Sequence, residues 1–178
     1  MSRIGSIAVK IALLALIVSL VLTAYYYVNV RMENEKVLNN IRSIALAAYR
    51  VEVEEAADFL EIYADTGDSS ARDYARRDLE AAMLQAEICL QGLPDDPDSM
   101  YTKLRDTAAL GDSKFQHIPQ GAYNPTKIMS AVQLLREIAS ALFGVGVDGG
   151  RDPLERLGES TVNSMIENCE QIQQIIDW

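Results

Sequence analysis

Apolar residues run without a charge from Ile11 to Val28, IALLALIVSLVLTAYYYV, and only Ser19 and Thr23 interrupt them with aliphatic hydroxyls. Beyond Val28 the pattern turns from continuous to periodic. Leu38, Ile41, Ala45, Tyr49, Val53, Ala56, Leu60 and Tyr63 recur at about 3.6 residues per repeat, the period of an α-helix. Neither Gly nor Pro interrupts 29–64. The two patterns therefore predict one long helix that stops near Gly67, a residue type that favours helix ends.

A second helix is predicted from an N-cap at Asp68, Ser69 or Ser70 to Gln91-Gly92. Its apolar seam is Ala75, Leu79, Ala82, Ala86, Cys89 and Leu93, and the brief turn before it predicts an antiparallel hairpin with the first helix. LPDDPDS then reads as a loop, followed by a short helix over 100–110. GDSKFQHIPQGAYN, residues 111–124, has no period and is read as a loop. Asn124-Pro125 is an N-cap with Pro at the first helical position, opening a helix with Ile128, Val132, Leu135, Ala139 and Leu142 on its seam. Asp152-Pro153-Leu154-Glu155 predicts the start of the last helix, whose seam is Val162, Met165, Cys169, Ile172 and Ile176. No sustained period-two alternation occurs, so strands are not expected. The fold class is all-α: an N-terminal transmembrane helix continuous with an extracytoplasmic bundle of about four longer helices plus one short helix.

The unbroken apolar run changes where this fold is placed. Eighteen residues at about 1.5 Å rise cover roughly 27 Å, close to the hydrocarbon thickness of a bilayer. The run exceeds a signal-peptide core and no A-x-A-like cleavage site follows it, so a retained anchor is expected. The chain divides into a short basic cytoplasmic tail and helix start (1–10), the anchor (11–30) and an acidic helical domain (31–178). Tyr25, Tyr26 and Tyr27 suit the membrane interface, where a ring lies in lipid and its hydroxyl in water. Basic residues flank both ends of the span, so their count does not orient it. Charge does favour one arrangement. Arg3 and Lys10 are the only charged residues up to Val30, so the remainder holds all 26 acids against 14 of the 16 bases, a formal charge of −12. Such a domain is repelled by an anionic cytoplasmic leaflet and is a poor partner for nucleic acid. The expected location is the cell membrane, single-pass, with the N-terminus cytoplasmic and the bulk outside.

Candidate chemistry narrows the field mainly by exclusion. Gly144-Val145-Gly146-Val147-Asp148-Gly149 spells G-x-G-x-x-G, but a dinucleotide site needs a strand before it and here a helix precedes; the stretch is read as an inter-helix turn. The single histidine, His117, sits in the long loop, so the Glu-x-x-His pairs of di-iron bundles cannot be assembled. Glu52, Glu54, Glu55, Asp58 and Glu61 crowd about three turns of helix one, with Glu54, Asp58 and Glu61 sharing one face. They read as a solvated face balanced by Arg50 or by Arg72, Arg76 and Arg77 across the hairpin, with weak divalent-cation binding as the functional alternative. Asp95, Asp96 and Asp98 lack the loop length and closing Glu of an EF-hand and read as turn formers. No nucleophile–base pair stands out, and no catalytic, cofactor-binding or metal residue is assigned.

The two cysteines leave two readings open. Cys89 and Cys169 each fall on the predicted seam of their own helix. A disulfide between them would close a loop of about 80 residues and stabilise by roughly 4–5 kcal/mol on the chain-entropy view. Two buried free thiols acting as small apolar residues account for the placement equally.

The function that follows is non-enzymatic: a membrane-anchored module for protein–protein interaction or assembly. Ala15, Ser19 and Thr23 form a small-residue ladder in the span that allows close helix approach, and hence a homo-oligomer or a membrane complex. The alternative is a ligand-binding, sensor-like or enzymatic ectodomain with 111–124 as a lid carrying Phe115, His117 and Tyr123. In topology the chain resembles the periplasmic four-helix bundles of bacterial chemoreceptors, where a membrane helix runs directly into the sensory domain. That resemblance implies a signalling partner. The long first helix is also similar to that of type IV pilin-like proteins, and Gly5 before an apolar run matches their processing site. Lys10, however, stands where pilins commonly carry Glu.

Overall fold

The computed structural model describes residues 3–116, 123–146 and 151–177, with side chains from Ala15 onward. Among the described residues there are five α-helices, two 3₁₀ turns and no strand. The helices are α1 (Arg3–Thr66), α2 (Ser69–Leu90), α3 (Met100–Gln116), α4 (Pro125–Ala141) and α5 (Glu159–Ile175). The apolar run and the periodic segment thus belong to one helix, as their uninterrupted sequence predicts. Contacts divide the chain into two compact units, Met1–Leu38 and Asn39–Trp178.

In the first unit every described side chain from Ala15 to Val37 is exposed. Part of the helix is long and apolar enough to cross a membrane. Such a surface is costly in water, at about 25 cal/mol per Å² of apolar area left uncovered.

The second unit has one core, to which all five helices contribute. Seam residues named from periodicity fill it: Tyr49, Val53, Ala56 and Leu60 of α1, and Ala75, Leu79, Ala82, Ala86 and Cys89 of α2, are at most 1% exposed. Small residues on α2 let α1 and α3 approach closely. Pairs between the helices give their directions. Phe59 meets Tyr74, and Arg42 meets Cys89, so α1 and α2 run antiparallel. Arg76 pairs with Asp112 of α3. Arg136 of α4 reaches Asp58 and Glu61 of α1, and Asn168 of α5 donates to Glu137 of α4. Lys103 to Glu170 and Lys114 to Asp177 run α3 parallel to α5. Direction therefore alternates along the chain.

Local chemistry sets most boundaries. Gly67, at φ +70°, follows the last residue of α1, and Asp68 accepts from the Ser70 amide at 2.9 Å to cap α2. Asn124 accepts from the Lys127 amide and Pro125 opens α4, as expected.

Three expectations need correction. The helix expected to end at Leu110 continues to Gln116, so the first six residues of the supposed 111–124 loop are helical. Gly111 does not end α3; a methyl group placed there would lie 2.9 Å from Leu79 Cδ1, so glycine serves the close approach of α2. Phe115, 1% exposed, then gives the extra turn an apolar anchor. Asp152 caps only a 3₁₀ turn at Leu154–Arg156, its carboxylate accepting from the Leu154 amide, and Gly158 at φ +79° redirects the chain before α5 starts at Glu159. Finally, Ile41 of the predicted seam is exposed, and its neighbour Arg42 is buried in its place.

Candidate functional site

Arg42 organises the end of the domain at which Asn39 enters. Its side chain is buried, which is costly for a charge unless every donor finds a partner. Nε donates to the Cys89 carbonyl and Nη2 to the Gln91 carbonyl, each at 3.1 Å, where α2 ends and its last carbonyls lack helical donors. Nη1 donates to Asn39 Oδ1 and lies 3.7 Å from Asp152 Oδ2. Asp152 Oδ1 accepts in turn from the Tyr101 hydroxyl at 2.7 Å. Burial, and then the adjacent Asp152 carboxylate, hold the Tyr101 phenol well above its ordinary pKa, so it stays a donor. The network ties α1, the end of α2, α3 and the turn before α5 to one guanidinium. Periodicity gave no sign of this role beyond the place of Arg42 three residues before the seam residue Ala45.

A cleft of about 530 Å³ opens beside this network, between the α2–α3 connection and the start of α5. Leu93, Met100, Leu154 and Val162 supply apolar lining, and Asp96, Glu155 and Glu159 supply carboxylates. It lies at the opposite end of the domain from 111–116, 123 and 124, the described residues of the expected lid. There Phe115 is a core residue, and the Tyr123 hydroxyl donates to the Tyr63 and Ala64 carbonyls at the end of α1. His117 lies outside the described residues, as does the 147–149 part of the glycine-rich stretch. The Gly146 carbonyl of that stretch accepts from Arg156, a backbone contact within the domain.

The acids of α1 are balanced differently from the expectation. Arg136, far along the chain on α4, reaches both Asp58 and Glu61, while Arg50 stacks over Phe143 at 4.9 Å and Arg76 pairs with Asp112. Among the described residues, Glu52 and Glu55 of α1 group with Asp78 of α2, one oxygen of each lying within 4.8 Å of the others. Burial, and then the charges of Glu52 and Glu55, raise the Asp78 carboxyl above its usual range. Oxygens so placed suit a hard divalent cation in kind, although a calcium ion takes six to eight.

No family model, curated protein or solved structure matches this chain. Its chemistry therefore rests on its own residues.

Cys89 and Cys169 are both buried free thiols here, a placement that fits small apolar core residues. Cys89 Sγ is turned toward the Arg42 carbonyl, 3.7 Å away, rather than toward a second sulfur. Burial pushes the Cys89 thiol up to about 12 and the Cys169 thiol up to about 11, which keeps both protonated and poorly nucleophilic. Alkylation of the native chain should therefore modify neither cysteine, and alkylation in denaturant without reductant should modify both. Two unmodified cysteines under denaturing, non-reducing conditions would establish the disulfide.

The residues assigned to the membrane behave as a separate group. Tyr25, Tyr26 and Tyr27 are 65%, 71% and 67% exposed and occupy successive positions around α1. Ala15, Ser19 and Thr23 are exposed too, and the Thr23 hydroxyl donates to the Ser19 carbonyl at 2.8 Å. That internal bond leaves the ladder with less polar surface than its sequence suggests.

Proposed function

We propose that this chain is a single-pass membrane protein whose acidic helical bundle lies outside the cytoplasm and serves protein–protein interaction or assembly, without an enzymatic role. The observation that carries the reading is the surface of α1 from Ala15 to Val28, apolar in sequence and exposed throughout. An apolar surface of this kind requires lipid or protein to cover it, and the three tyrosines at its end suit a headgroup layer. The alternating helix directions and single core support a bundle. The charge of −12 beyond Val30 supports its placement away from the anionic leaflet. The polar groups inside the domain support a structural use. Arg42 holds carbonyls, Tyr101 and Asp152 hold each other, and the Tyr49 hydroxyl donates to the Leu104 carbonyl. In the span, Ala15, Ser19 and Thr23 remain the face for a second helix, from another copy or from a membrane partner.

The test is membrane extraction and crosslinking of the full chain. The protein should resist alkaline carbonate extraction with its first residues intact, and a crosslinked species should diminish in Ala15→Leu/Ser19→Leu. Release as a soluble chain cleaved after the apolar run would establish a signal peptide and remove the anchor. Absence of any crosslinked protein would remove the interaction reading.

A further inference from the structure

We propose that the cleft beside Arg42 docks an apolar segment of a partner protein bearing lysine or arginine. This rests on the interaction reading above and names the chemistry of the partner. Four carboxylates line the cleft, on Asp96, Asp152, Glu155 and Glu159, and among the described residues no lysine or arginine does. They are not equivalent. Asp152 is committed to Tyr101, the Leu154 amide and Arg42, and one oxygen of Asp96 accepts from the Asp98 amide. Glu155 and Glu159 are exposed, and neither takes part in an ion pair among the described residues.

The helix ends oppose this charge without cancelling it. α3 and α5 both begin at the cleft, with Met100 and Glu159 in its lining, and a helix start carries roughly +0.5 of a charge. Two such ends and the Arg42 guanidinium together offset about half of the four negative charges, so a net field favouring a cation remains. Between the carboxylates the wall is apolar, through Leu93, Pro94, Met100, Leu154 and Val162. An occupant therefore needs an apolar body and a flanking cation. A second copy of this chain is disfavoured as that occupant, because its formal charge of −10 would bring acid against acid. The volume of about 530 Å³ suits a few anchoring side chains, the central part of an interface rather than all of it.

The experiment uses the full chain in zwitterionic nanodiscs, with empty nanodiscs subtracted. The probes are a labelled leucine–lysine peptide with an i, i+3, i+4 leucine stripe and its glutamate counterpart, read by fluorescence anisotropy. The lysine peptide should bind more tightly than the glutamate peptide. Its affinity should fall about tenfold in Glu155→Gln/Glu159→Gln, as expected for two partly screened contacts, with a weaker salt dependence. Glu80→Gln/Glu87→Gln, which removes two exposed acids elsewhere on α2, should leave it unchanged. Equal binding of the two peptides, no binding, or an equal loss in both double variants would overturn the proposal. All four glutamates are exposed, and unchanged unfolding midpoints would show that the variants fold. If membrane crosslinks to a partner persist undiminished in Glu155→Gln/Glu159→Gln, the cleft proposal fails while the interaction reading stands; if no partner is crosslinked in the parent chain, the broader reading fails.

Discussion

Arg42→Ala is expected to destabilise the helical domain by about 3–5 kcal/mol, the range for removing one partner of a buried, hydrogen-bonded charge. The magnitude follows from what is left behind. The Cys89 and Gln91 carbonyls lose their guanidinium donors, and Asp152 loses the cation 3.7 Å away. An alanine cavity adds to the cost, because the side chain is only 9% exposed. A domain of this size typically has 5–15 kcal/mol in total, so one residue carries a large share. Arg42→Lys should recover only part: a point charge serves Asp152, but an ammonium cannot reproduce the planar fork that spans two carbonyls. Asp152→Asn in the Arg42→Ala background should also recover part, since it removes the uncompensated charge. Denaturant unfolding of the full chain in nanodiscs, followed by pulsed alkylation of the two buried thiols, measures all three. A change below about 0.5 kcal/mol for Arg42→Ala would show that the network is not holding the helix ends.

The second large effect is expected at Phe115. Phe115→Ala should cost about 3–5 kcal/mol, the range for emptying a phenylalanine site in a packed core. Phe143→Ala should cost about 1 kcal/mol or less, because that ring is 78% exposed and touches chiefly the Arg50 guanidinium. The comparison decides between a helix and a loop over 111–116. A loop residue at 115 would lose little on truncation, whereas the last turn of α3 loses its anchor. The same unfolding measurement serves, with amide hydrogen exchange over 111–116 as a second reading. Equal and small losses at 115 and 143 would return the segment to the irregular loop its sequence suggested.

These two residues also show why parts of the chain were legible and others were not. Periodicity identified the seams of α2, α4 and α5 because an amphipathic helix must repeat its buried side every turn, whatever it packs against. Caps at Asp68 and Asn124 were readable for a similar reason: a carboxylate or amide bonding the next amides is a contact within a few residues. Phe115 escaped because one aromatic among Gly111, Asp112, Ser113 and Lys114 makes no period, and its burial depends on other helices. The use of Gly111 inside a helix was not visible in sequence because its gain, room for Leu79, lies across an interface. Arg136 was missed as the partner of Asp58 and Glu61 because a salt bridge between α4 and α1 leaves no spacing signature.

Sequence alone therefore determined the helical class, the apolar length of the first helix, most of the faces that became core, and the acidic charge beyond the apolar run. Each follows from chemistry that is local or additive along the chain. Tertiary structure decided the rest. It put Arg42 inside and Ile41 outside, because unpaired carbonyls at the end of α2 outweigh the burial of one more isoleucine. It turned Cys89 toward a backbone carbonyl, and placed beside an apolar cleft two exposed glutamates, Glu155 and Glu159, that form no ion pair among the described residues. Those outcomes depend on which groups meet across helices, and no repeat in a single chain records such meetings.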